Sequence, residues 1–157
     1  MRTYGFALIL LLLFWGCENR TIVISGNTAQ EPINFQKGGV RCSECQMVIE
    51  DYPYTAQLVT PAGKTYFFSD VGSFVKWQEG KDFGGKEKVW VFALDTKRWM
   101  EAKDAYYTTN EITPMEYGFG AYENKTDAMV DFETMKMKML RGENLTNPAY
   151  RKKVLGE

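Results

Sequence analysis

A chain of 157 residues is long enough for one domain with a real core and too short for two ordinary ones. Its 45% hydrophobic and 15% aromatic content rules out a largely disordered chain, and a formal net charge of −1 argues against a nucleic-acid partner. Histidine is absent, which excludes chemistry built on imidazole as general base or metal ligand.

Met1 and Arg2 give a short positive start, and Phe6 through Trp15 is an unbroken apolar run ending in Gly16-Cys17. A membrane-crossing helix needs about 20 apolar residues, so this run reads as an export signal over residues 1–16. The small Gly16 before Cys17 resembles the lipobox of bacterial lipoproteins, although Phe14 and Trp15 stand where the common pattern has leucine and a small residue. That resemblance implies cleavage before Cys17 and a lipid on its sulfur, an anchor in a membrane with the rest of the chain facing the periplasm. Residues 17–39 are largely polar, with Ile22-Val23-Ile24 as the one apolar patch, and read as a flexible tether.

The domain proper is expected over residues 40–142. Tyr54 to Val59 has strand composition, Pro61-Ala-Gly63-Lys64 makes a turn, and Thr65 to Phe68 forms the return strand of a hairpin. Ser69 or Asp70 caps a short helix with Val71, Phe74, Val75 and Trp77 on its buried face, and Val89 to Leu94 is a core strand. The order then repeats: Ala105 to Thr108, a turn at Thr113-Pro114, Tyr117 to Tyr122, and a helix from about Thr126 to Arg141. The expected fold is therefore α+β, two ββαβ-like units packed as one small domain, with an exposed tail over residues 143–157. In the last helix Ala128, Phe132, Met135 and Met139 fall on one packing face and Met137 does not, so Met135-Lys-Met137-Lys-Met139 reads as packing rather than as a copper relay.

The chemistry is concentrated in Cys42-Ser-Glu-Cys45-Gln-Met47. Two thiols and a thioether are soft donors, suited to Cu(I), zinc or iron–sulfur centres. Structural zinc and iron–sulfur clusters want four cysteine or histidine ligands, and with Cys17 lipidated only two cysteines remain. Cu(I) accepts two or three sulfur ligands, methionine included. A redox or structural bridge between Cys42 and Cys45 stays open as the rival reading, although Pro53 breaks the following sequence too early for the helix that activates a catalytic dithiol. Cys45 and Met47 alternate in register, so an extended segment would point both to one face.

At these residues the chain resembles the NosL accessory lipoproteins of nitrous oxide reductase maturation. The resemblance runs from Arg41 to Phe132 and rests on Arg41-Cys42-x-x-Cys45-x-Met47-Val-Ile, Tyr52-Pro53, Ala56-Gln57, Gly63, Phe68-x-Asp70, Thr113-Pro114-Met115 and Tyr117-Gly118, with Ala128 and its neighbours in the last helix. It implies a pair of ββαβ-like units and Cu(I) binding by Cys45, Met47 and the distant Met115, with Cys42 less firmly placed as ligand or disulfide partner. It also implies a copper acceptor, nitrous oxide reductase or its maturation machinery. The expected function is thus that of a membrane-anchored copper(I) chaperone, not an enzyme, with a thiol redox lipoprotein using Cys42 and Cys45 as the alternative.

Overall fold

The computed structural model describes residues 21–156. The export signal, Cys17 and its lipidation lie outside the described residues.

Two short strands buried on both faces build the central hairpin. Strand β2 (Ala56–Val59) pairs antiparallel with β3 (Thr65–Phe68) through the register Ala56 with Phe68 and Val59 with Thr65. The turn between them closes with the Gly63 amide on the Thr60 carbonyl, 2.9 Å, and Gly63 sits at φ 76°, where a side chain would press on the backbone of Asn27 and Thr28. A short β1 (Val23–Ile24) flanks β3. On the other side β4 (Lys88–Ala93) and β5 (Arg98–Glu101) complete a five-stranded antiparallel sheet in the order β1-β3-β2-β4-β5. Between β3 and β4 runs α1 (Val71–Gln78), so the first unit is the expected ββαβ.

Registers divide the sheet into two faces. Ala56, Leu58, Phe68 and Val91 share the face on which Phe74 of α1 packs edge-on against Phe68 at 5.7 Å. Phe67, Phe68 and Phe74 are fully buried, each contributing about 1.5–3 kcal/mol of transfer free energy. The opposite face carries Gln57, Phe67, Phe92 and Trp99, and it too is covered.

The cover on that second face is the segment expected as a tether. From residue 21 onward the chain is packed, not free. Phe35 is buried in edge-on contacts with Tyr52 at 4.9 Å and Phe67 at 5.5 Å. The buried Gln57 clamps Ile33 reciprocally, accepting from its amide at 2.9 Å and donating to its carbonyl at 2.8 Å. Gln30 donates to the Val59 carbonyl at 3.0 Å and accepts from the Trp90 indole through its own carbonyl at 2.9 Å. The mostly polar composition concealed this packing because amide side chains and the single aromatic Phe35 do the docking.

The second unit is smaller than the first. Strands β6 (Tyr106–Tyr107) and β7 (Ala121–Tyr122) pair as a separate two-stranded sheet, and Val130 bridges to Tyr107. That bridge keeps Val130 extended, so α2 runs over Phe132–Leu140, capped by Asp131, and starts later than Thr126. Its face is otherwise as expected: Met135 and Met139 are buried and Met137 is exposed, while Ala128 lies exposed before the helix. Among the described residues no strand follows α2. The chain enters α3 (Pro148–Leu155), capped by Asn147 with Pro148 in its first turn, and Leu145 is buried on the way. The presumed tail is therefore partly built into the fold. No helix among the described residues is long and apolar enough to cross a membrane.

Candidate metal centre

Cys42, Cys45 and Met47 lie in a tight loop rather than on an extended strand. Arg41 and Val48 form an antiparallel bridge, the Cys42 amide donates to the Met47 carbonyl at 2.9 Å, and the Gln46 amide donates to the Cys42 carbonyl at 3.0 Å. Gln46 takes φ 63°, turning the chain between Cys45 and Met47, so the alternation expected for an extended segment does not hold. The loop is pinned from several sides. The Arg41 guanidinium donates to the Gln46 carbonyl at 2.9 Å, the Ser43 amide donates to the Phe67 carbonyl at 2.7 Å, and Glu44 pairs with Lys76 of α1 at 2.7 Å.

Within this loop the sulfur atoms differ in depth. Cys42 is 0% exposed, and its Sγ accepts the Cys45 amide at 3.5 Å. Cys45 is partly buried, with its Sγ 3.6 Å from Ser69 Oγ. Met47 is 48% exposed. Both cysteines are free thiols. Burial pushes the Cys45 thiol above its ordinary value of 9.0; the Met47 amide and the Ser69 hydroxyl pull it back in part, and neighbouring Cys42 adds to the rise. The loop thus holds a protonated thiol at neutral pH, unlike the activated cysteine of a helix N-terminus.

Met115 comes from the second unit. Thr113 to Glu116 is a β-turn closed by the Glu116 amide on the Thr113 carbonyl at 2.9 Å, with Pro114 at the corner that favours it and Met115 next. The turn sits on the start of α1. Asp70 Oδ1 caps the helix by accepting the Gly72 amide at 2.8 Å, and Oδ2 accepts the Thr113 hydroxyl and, at 3.1 Å, the Met115 amide. Tyr117 lies so close over Gly72 that a Cβ there would meet its ring at 2.4 Å. Burial pushes the Asp70 carboxyl upward, while the Thr113 hydroxyl and the Gly72, Met115 and Tyr117 amides pull it down without cancelling the rise.

The two adjacent residues Ser69 and Asp70 therefore touch both candidate segments: Ser69 meets Cys45, and Asp70 holds the backbone of Met115. Cys45 and Met115 are both half-buried against the core, and Met47 and Pro114 line one mostly apolar cavity of about 340 Å³ together with Ser69 and Tyr54. Sequence reasoning named the sulfur residues and missed Ser69 and the second oxygen of Asp70. It also passed over Glu111, whose carboxylate accepts from Tyr54 at 2.9 Å, Tyr122 at 2.7 Å and Thr108 at 2.6 Å, joining the cavity wall to β7. A helix cap is legible as a local signal, whereas partners some forty residues away are not.

Among the described residues no three cysteine, aspartate or glutamate side chains are grouped to hold a metal ion. The soft donors carried by these two segments are two thiols and the thioethers of Met47 and Met115, a set that suits a soft monovalent ion better than a hard one. No protein-family model matches the chain, and no curated protein matches it.

Proposed function

We propose that this protein is a copper(I) metallochaperone of the NosL kind, exported, anchored in a membrane through lipidated Cys17 and facing the periplasm. The single observation that carries the reading is the convergence of the Cys45–Met47 loop and the Met115 turn on Ser69 and Asp70 at the start of α1. In this reading Cys45, Met47 and Met115 hold the ion, with Cys42 as a further thiol beneath them. The acceptor is a copper enzyme or its maturation machinery, and the resemblance singles out nitrous oxide reductase.

The cargo is Cu(I), and its capture is a ligand exchange without change of oxidation state. Cys45 loses its thiol proton to solvent as the copper–sulfur bond forms, and the neutral thioethers add without proton loss. On delivery, ligands of the acceptor displace this chain's sulfur atoms from the ion, and the Cys45 thiolate regains a proton. Exposed Met47 is the first ligand an incoming partner meets.

Closeness of the two thiols favours a second reading, a thiol redox lipoprotein using Cys42 and Cys45. Full burial of Cys42 and the raised Cys45 thiol weigh against it. Anaerobic competition between the reduced protein and a Cu(I) chelator, repeated with Zn(II), separates these readings. One Cu(I) per chain, held in preference to zinc, is the expected result. Tight zinc with weak copper, or catalytic reduction of a disulfide substrate, overturns it. Mass spectrometry of the mature N-terminus tests the anchor, and an unmodified Cys17 would remove that part.

A further inference from the structure

Helix α1 needs only one carboxylate oxygen for its cap. Asp131 caps α2 from an exposed position, with its side chain accepting the Thr134 amide at 2.8 Å. Asp70, by contrast, is 0% exposed, and withdrawing a carboxylate from water is costly. Capping alone does not call for that burial. Its second oxygen is directed away from the helix, to the Thr113 hydroxyl and the Met115 amide, and the Thr113 hydroxyl oxygen in turn accepts the Gly118 amide at 3.2 Å. One planar group thus fixes the start of α1 and the turn bearing Met115 in a single orientation. The residue before it, Ser69, meets Cys45.

We infer that Asp70 is a positioning residue for copper binding, holding the 113–115 turn so that the Met115 thioether reaches the Cys45–Met47 loop. This rests on the copper reading above. An asparagine in its place retains one carbonyl oxygen to cap Gly72 but turns an NH2 group toward the Met115 amide, which then has no acceptor. The Asp70→Asn protein should keep its helix and release the turn.

The experiment is a double-mutant cycle on the mature protein with Asp70→Asn, Met115→Leu and the combination, read by anaerobic chelator competition and by the sulfur count from X-ray absorption. Asp70→Asn is expected to lower Cu(I) affinity about 10- to 100-fold and to remove one sulfur neighbour. Added to Met115→Leu, it should change neither quantity further. Wild-type affinity and sulfur count in Asp70→Asn, or the same loss in both backgrounds, overturns the inference and leaves copper binding by wild type standing. Wild type binding no Cu(I) removes the functional reading itself. Should Asp70→Asn fail to fold, Thr113→Val takes its place, with Thr113→Ser as the variant that restores the hydroxyl. A loss of affinity in Thr113→Val that Thr113→Ser recovers, and that disappears in the Met115→Leu background, supports the inference; a loss that persists there overturns it.

Discussion

Gln46 at φ 63° and Glu116 at φ 58° are two non-glycine residues in the left-handed region, and each adjoins a sulfur residue, Met47 and Met115. Such a conformation costs on the order of 1 kcal/mol and persists only where neighbours hold it. Arg41 holds the Gln46 carbonyl, and the Thr113 carbonyl holds the Glu116 amide. Both turns therefore present their methionines from a fixed backbone. Met115→Leu keeps volume and apolar character, so the fold should remain and Cu(I) affinity should fall about tenfold or more, the worth of one ligand position. Met137→Leu, at an exposed position on α2, should leave affinity unchanged. Equal affinities for all three proteins would reduce Met115 to packing. The raised Cys45 thiol adds a pH signature. Binding displaces its proton, so conditional affinity should climb with pH, by up to about tenfold per unit, until pH passes the folded value above 9.0. The same shift has the opposite sign for the metal-free fold: its stabilising contribution is present below 9.0 and is lost as pH rises through the folded value. Chelator competition across a pH series checks the first, and unfolding across the same series the second.

Packing at the level of elements explains what could be read from sequence. The first ββαβ unit was legible because its signals are local: strand composition in β2 and β3, a glycine turn, Asp70 before an apolar-faced helix. The segments flanking that core were not. Residues 21–35 dock through Gln57 and Gln30 to backbone groups and through the isolated aromatic Phe35, contacts that leave no periodicity. The last segment depends on Leu145, which packs against Gly118, where an added Cβ would meet it at 2.8 Å, and on its amide, which donates to the Tyr117 carbonyl at 3.3 Å. Asn147-Pro148 was a helix-start signal that the sequence reading passed over. Leu145 consequently braces Tyr117-Gly118, directly after the turn that carries Met115. Leu145→Ala should lower stability by about 2–5 kcal/mol. It should also weaken Cu(I) binding, because the turn loses its outer support while Asp70 keeps the inner one. Chemical unfolding and chelator competition on this variant measure the two effects, and an undiminished copper affinity at reduced stability would separate α3 and its lead-in from the site.

Across the whole molecule, the two candidate ligand segments belong to different parts of the chain: the Cys45–Met47 loop precedes the first unit, and the Met115 turn lies inside the second. Their meeting on α1 was legible in the sequence only as far as the sulfur residues themselves, because the hub consists of an ordinary serine and a helix cap. A copper ion bound by both segments would act as a cross-link added after folding. At a free ion concentration about 100 times the dissociation constant, binding to the native state alone adds about 2.7 kcal/mol. Its distribution is the more informative quantity. Hydrogen exchange in residues 41–48 and 113–118 should slow together when the reduced protein is loaded with Cu(I), because local opening of either segment then breaks a ligand bond. In Met115→Leu the protection should remain in 41–48 and disappear from 113–118. Protection confined to 41–48 in the unmodified protein would mean that the ion is held by the Cys42–Met47 loop alone, and that the convergence on Ser69 and Asp70 serves packing rather than copper.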